Sequence, residues 1–126
     1  MRVLLFGYGS IGQRHMANLR ALRPDVFIDI FDPPKGHTFV SQGHYDAAII
    51  ASPTALHEQH MEICSARAIP FYVEKPLGTH EIPEWQHCTV GFQYRFHPAM
   101  PQIRAIRSNL IWFLATDDLL ARYGPD

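Results

Sequence analysis

The chain has 126 residues, enough for one domain with a real core and too few for two full domains. Eleven Lys and Arg against twelve Asp and Glu leave a formal charge of −1, which argues against a nucleic acid or an anionic membrane as partner. Cys64 and Cys88 have no paired spacing, no apolar run approaches the roughly 20 residues that span a bilayer, and Met1-Arg2 leads into no signal-peptide core, so a soluble cytoplasmic protein is expected.

Val3-Leu4-Leu5-Phe6 is a continuous apolar run, as in a parallel strand covered on both faces. After a glycine-rich turn, Ile11, His15, Leu19 and Leu22 recur at helical spacing, and Pro24 closes the helix. A second strand over residues 26–31 stops at Asp32-Pro33-Pro34, because proline cannot continue the ladder. Residues 35–45 hold two glycines and no clear period, which predicts a loop or at most one helical turn. The third strand spans 46–51 and is broken by Ser52-Pro53-Thr54. A helix is predicted over 55–68, with Leu56, Met61, Ile63 and Cys64 available for burial. Strand 69–73 precedes Glu74-Lys75-Pro76; the segment 77–88 is polar; strand character returns over 89–96 and 110–115, around a predicted helix at 98–108. Strands alternating with helices imply right-handed crossovers and an α/β, doubly wound, mostly parallel sheet of Rossmann type.

Gly7-Tyr8-Gly9-Ser10-Ile11-Gly12 lies between the first strand and its helix, where a dinucleotide's diphosphate would bind. Gly7 permits the tight turn, Gly9 the approach of the diphosphate, and Gly12 close helix–strand packing, while the amides at the helix start face the anion. Asp32, at the end of the second strand, is placed to accept the ribose hydroxyls. NAD is therefore the expected cofactor, and NADP the second choice, since Lys35 lies close enough to meet a 2′-phosphate. His57 and His60 are one helical turn apart, but His-Glu-Gln-His is not the zinc pattern and no third ligand is evident, so no metal is expected. His15 is read as packing or solvated.

Four segments in order resemble the Gfo/Idh/MocA family of NAD(P)-dependent oxidoreductases, which act mainly on sugars, inositols and related polyols. They are the glycine turn through His15, Ala51-Ser52-Pro53-Thr54-Ala55-Leu56-His57, Val73-Glu74-Lys75-Pro76-Leu77, and residues 90–98. The resemblance implies hydride transfer between a nicotinamide and a sugar or polyol hydroxyl. It puts Ser52, Pro53 and Thr54 against the cofactor, with His57 near it. It sets Glu74 and Lys75 beside the nicotinamide, with Lys75 as the catalytic group reaching the substrate hydroxyl and Arg95 near the mouth. Pro76 in this family often follows a cis peptide bond.

Family members are usually much longer, and a second domain supplies their substrate pocket. The expected division here is a dinucleotide-binding domain over 1–98 and a remnant of the substrate domain over 99–126. Shortening between residues 32 and 46 and between 76 and 89 suggests a reduced family member. Strand 89–96 and segment 110–116 would then present an apolar edge, so a homodimer joined there is expected. Binding of NAD follows more directly than turnover. A non-enzymatic NAD-binding or scaffold module therefore stands beside the oxidoreductase reading.

Overall fold

The structure, a computed structural model, describes residues 1–38, 40–77, 87–92 and 98. Arg2–Phe6 form β1, whose Val3, Leu4, Leu5 and Phe6 are all buried, as a strand flanked on both faces requires. β2 is Phe27–Phe31, β3 Ala47–Ile50, β4 Phe71–Glu74 and β5 Cys88–Gly91. Among the described residues these make one all-parallel sheet in the order β2-β1-β3-β4-β5. The Rossmann-type α/β class expected from the alternation of elements is the fold observed.

Helix α1, Ser10–Leu22, returns the chain from β1 to β2 and contacts β1. Its packing differs from the expected Ile11-His15-Leu19-Leu22 stripe: Ile11 is 42% exposed and Leu22 78%, while Gly12 is the buried residue. The helix approaches the sheet through its glycine, which lifts Ile11 onto the lip of a cleft. Helix α2, His57–Ala66, follows a single 3-10 turn at Thr54–Leu56 and packs on β3 and β4. Its Met61 and Cys64 meet Leu4, Phe6, Ala48, Ile50, Phe71 and Val73 in the main core. At 25 cal/mol per Å², each such side chain contributes roughly 1.5–3 kcal/mol relative to exposure. Strand expectations hold within one or two residues up to β4. Beyond Phe92, the segments predicted at 93–96, 98–108 and 110–116 and the division at residue 98 lie outside the described residues, Pro98 apart, and of the expected dimer surface only residues 89–92 are described.

The loop between β2 and β3 is closed by one aromatic. Tyr45 is fully buried; its hydroxyl donates to Asp29 Oδ2 at 2.7 Å and accepts the Ser41 N–H at 2.9 Å. The guanidinium groups of Arg2 and Arg67 lie 5.5 and 5.2 Å from its ring centre. Arg2 also pairs with Asp29 at 2.8 Å, and Arg67 donates to the carbonyls of Ser41 and Gly43. Burial first, then the bond to Asp29, raise the Tyr45 pKa, so the phenol remains a donor at neutral pH. Tyr45→Phe strands the Ser41 N–H and leaves Asp29 Oδ2 with Arg2 alone, and is expected to lower stability by about 1–3 kcal/mol in urea unfolding. An unchanged midpoint would show that this network does not hold the loop.

Candidate functional site

Three backbone segments converge at the carboxyl ends of β1 and β3. Gly7 has φ +88°, a left-handed value that favours glycine, and its N–H donates to Phe31 O at 2.9 Å. A Cβ on Gly7 would lie 2.6 Å from Ala51 O and Ser52 N, and one on Gly12 would overlap Gly7 O. Gly9 is different: a Cβ there meets nothing within 4 Å, so this residue borders open space. Gly9 is also the cap of α1, with no side-chain cap bond and no acidic residue in the first turn. The first-turn N–H groups therefore stand without a side-chain acceptor at the helix's positive end, ready for an anion.

That open space is part of a cleft of about 730 Å³. Gly9, Ser10 and Ile11 line one side, residues 31–35 another, and Ser52 and Pro53 the floor. Its far wall is the face of α2 and the preceding turn that carries Leu56, Gln59, His60 and Ile63. The spacing i, i+3, i+4, i+7 of these four was a readable signal for one helix face, and sequence reasoning did not use it.

Asp32 and Lys35 hold the glycine turn from outside. Asp32 Oδ2 accepts the Tyr8 N–H at 2.7 Å, and Lys35 Nζ donates to Tyr8 O at 2.6 Å. Pro33–Lys35 make one 3-10 turn, Gly36 at φ +80° reverses the chain, and Asp32 bridges to His37. The His37 ring meets Tyr8 edge-on at 5.2 Å.

Two buried histidines lie by the cleft, His60 in its lining and His57 outside it. His57 is 1% exposed, and its ring nitrogens each lie 2.9 Å from a carbonyl oxygen, Nδ1 from Pro76 and Nε2 from Ser52. The ring spans the gap between the β3–α2 turn and the end of β4, and it does not line the cleft. His60 Nδ1 is 2.8 Å from Ser52 Oγ, and its ring stacks on Phe6 with centres 4.3 Å apart. Burial first, and the neighbouring His57 second, lower the His60 pKa, so its neutral form is favoured. Among the described residues no group of three or more His, Cys, Asp or Glu is placed to hold a metal.

Glu74 and Lys75 also lie outside the cleft lining. Glu74 Oε1 is 2.8 Å from His15 Nε2 and accepts the Tyr72 hydroxyl at 3.1 Å. Burial, the Glu74 charge and that bond push the Tyr72 phenol up to about 12. His15, expected as packing or solvated, instead faces the Glu74 carboxylate and ties α1 to the end of β4. Lys75 is exposed, and the Lys75–Pro76 bond is cis. Thr54 is exposed at the start of its 3-10 turn, and Arg95 lies outside the described residues.

A parallel α/β sheet with a glycine turn and an acidic residue closing β2 defines a Rossmann-type domain. The structure is similar to a myo-inositol dehydrogenase from Corynebacterium glutamicum ATCC 13032, with a TM-score of 0.66 and 28% identity, over 83% of this chain and 40% of that one. It also matches a Gfo/Idh/MocA family oxidoreductase from Vibrio cholerae, with a TM-score of 0.49 and 21% identity, over 62% of this chain and 30% of that one. No protein-family model and no curated protein matches the sequence. The likeness to the dehydrogenase supports a Rossmann-type fold, and the four motifs, in order on it, resemble those of the Gfo/Idh/MocA oxidoreductases. It spans two fifths of the matched dehydrogenase. Among the described residues no helix is long and apolar enough to cross a membrane.

The buried His60 makes stability depend on pH. Above its ordinary value of 6.5 both states hold it neutral; below, the unfolded chain takes up a proton that the native ring resists. Stability therefore falls as the pH drops below that value. Urea midpoints measured between about pH 7.5 and 5.5 are expected to fall less in His60→Gln than in the parent. Equal pH slopes in the two proteins would remove His60 as the cause.

Proposed function

We propose that this domain binds a nicotinamide dinucleotide, NAD(H), in the cleft between the glycine turn, the Asp32 turn and the α2 face. The observation that carries the reading is Gly9, which borders open space while its neighbours Gly7 and Gly12 are pressed against backbone. The residues fit the group. The uncapped start of α1 suits a diphosphate, with Tyr8, Ser10 and Ile11 completing the turn. Asp32 keeps its second carboxylate oxygen for ribose hydroxyls, and Leu56, Ile63 and Pro33 offer an apolar wall to a base. Ser52, Pro53 and Thr54 follow β3 beside the turn, and His57 holds Ser52 from below.

The nicotinamide supplies a hydride donor or acceptor. The family resemblance of its motifs and the likeness to a myo-inositol dehydrogenase support a sugar or polyol hydroxyl as the reacting group. Lys75, at the end of β4, is then the residue that holds the hydroxyl proton, with Glu74 and Arg95 in support. One observation favours a second reading, a dinucleotide-binding module without turnover: Lys75 is exposed and no part of the Glu74-Lys75 pair lines the cleft.

Gly9→Ala tests the binding site. Its backbone, at φ −76°, tolerates alanine and its surroundings leave room, so the variant is expected to melt with the parent. NADH affinity, read by fluorescence, should nevertheless fall by about tenfold or more, a loss of about 1.4 kcal/mol. A parent protein with no saturable binding at about 1 mM NADH defeats the proposal. Turnover is tested with polyols and sugar acids in parent and Lys75→Ala. The oxidoreductase reading expects kcat to drop about 100-fold or more with NADH affinity retained. Indistinguishable background rates favour the binding module.

A further inference from the structure

We infer that β2 is a pairing edge for a second copy of this chain. Two Phe27–Phe31 strands meet antiparallel about a two-fold axis at Asp29 and join two sheets into one. This surface is independent of what the cleft binds. β2 and β5 are the two edges of the sheet among the described residues, so β2 lies opposite the edge where the sequence led to a dimer.

The backbone shows which groups of β2 face outward. The Phe27 N–H donates to Met1 O at 3.0 Å and Phe31 O accepts the Gly7 N–H at 2.9 Å. Residues 27, 29 and 31 therefore turn their main-chain groups toward β1, and alternation sends those of Ile28 and Ile30 to the open side. Among the described residues nothing bonds to these outward groups. At Asp32 the same side is already taken, because its N–H and C=O bond to His37 at 2.8 and 3.1 Å. The open stretch is thus Phe27–Phe31 itself. It contains no Lys and no Pro, and its register with β1 is unbroken, so the devices that commonly blunt an edge strand are missing from it.

The occupant follows from the sequence of that stretch. Phe-Ile-Asp-Ile-Phe reads the same in both directions, so its best antiparallel complement is another copy of itself. With Asp29 on the axis, Ile28 faces Ile30 of the second copy, and their outward N–H and C=O groups exchange hydrogen bonds. Phe27 faces Phe31 of the second copy in a non-hydrogen-bonded pair, where side chains approach most closely and two aromatics stabilise each other. Phe27 is 74% exposed and gains cover there. Asp29 meets its own counterpart, and bare like charges at that position would repel. Here each carboxylate is compensated within its own copy. Asp29 Oδ2 accepts from Arg2 Nε at 2.9 Å and from the Tyr45 hydroxyl at 2.7 Å. Arg2 belongs to β1, so its bond draws the carboxylate away from the axis. A ladder this short buries less than the roughly 1,000 Å² of a tight interface, so the dimer forms in the micromolar range.

Sedimentation of the full chain between about 1 and 500 µM, in the parent and in Phe27→Lys, tests the pairing, together with amide exchange in the parent over the same range. Phe27 is largely exposed, and matched melting curves check that the lysine variant is folded. The parent is expected to pass from monomer to dimer, and Phe27→Lys to weaken association about tenfold or more. As the dimer forms, exchange at Ile28 and Ile30 should slow about fivefold or more, while Asp29, bonded to β1 in either state, does not respond. A parent that stays monomeric at about 500 µM overturns the inference. Association that leaves exchange at Ile28 and Ile30 unchanged also overturns it, and places the contact elsewhere on the chain. The exchange measurement decides by itself if the lysine variant does not fold.

Discussion

The fold is organised around one place where backbones touch without side chains between them. At Gly7 the chain leaving β1 presses on Ala51 and Ser52 leaving β3, and at Gly12 the first turn of α1 presses on Gly7. Because α1 enters this close, its amide end is brought to the carboxyl edge of the sheet and Ile11 is raised onto the cleft lip. Because the β3 turn is equally close, Ser52 and Pro53 become the cleft floor. A methyl group at either glycine would separate elements whose approach defines the site. Gly9, with open space around it, plays no part in that packing and is left available for a ligand.

Polar side chains hold the loops on this scaffold, because loops have few ladder bonds of their own. Ser52 is held twice from α2, by His57 at its carbonyl and by His60 at its hydroxyl. His57 reaches on to Pro76, so one buried ring couples the cleft floor to the strand end that bears Lys75. Tyr8 is held twice from the β2 turn, by Asp32 and Lys35. The loop before β3 hangs on Tyr45 and two arginines. In each case a buried or half-buried polar group is satisfied by atoms of another segment, and removing one partner leaves the other unsatisfied.

The elements up to β4 were legible because apolar runs and helix spacing are local properties of the chain. The packing roles of Gly7 and Gly12 were legible for a similar reason: a strand, a tight turn and a helix in immediate succession leave few geometries open. The face of α1 was misjudged at Ile11 and Leu22, since helical spacing says which residues share a side but not how near a glycine lets the helix come. The site's polar contacts were illegible for a different reason. His15 and Glu74 are 59 positions apart, and only the crossover that lays α1 beside β4 brings them together. His57 looked like a residue near the cofactor, and only burial reveals it as a brace between two turns.

The arrangement separates two tasks that a family motif reads as one. The proposed binding half is made of backbone amides, glycines and the α2 face that carries Leu56, Gln59, His60 and Ile63. The proposed reacting half is made of charged side chains at the end of β4, and its Glu74 is engaged with His15 and Tyr72 rather than turned into the cleft. A dinucleotide needs only the first half to bind. Hydride transfer needs more, because a hydroxyl must be held in reacting geometry over the nicotinamide with a proton acceptor at hand. The His15–Glu74 contact joins the two halves physically, running from the helix that would face the diphosphate to the strand end that carries Lys75.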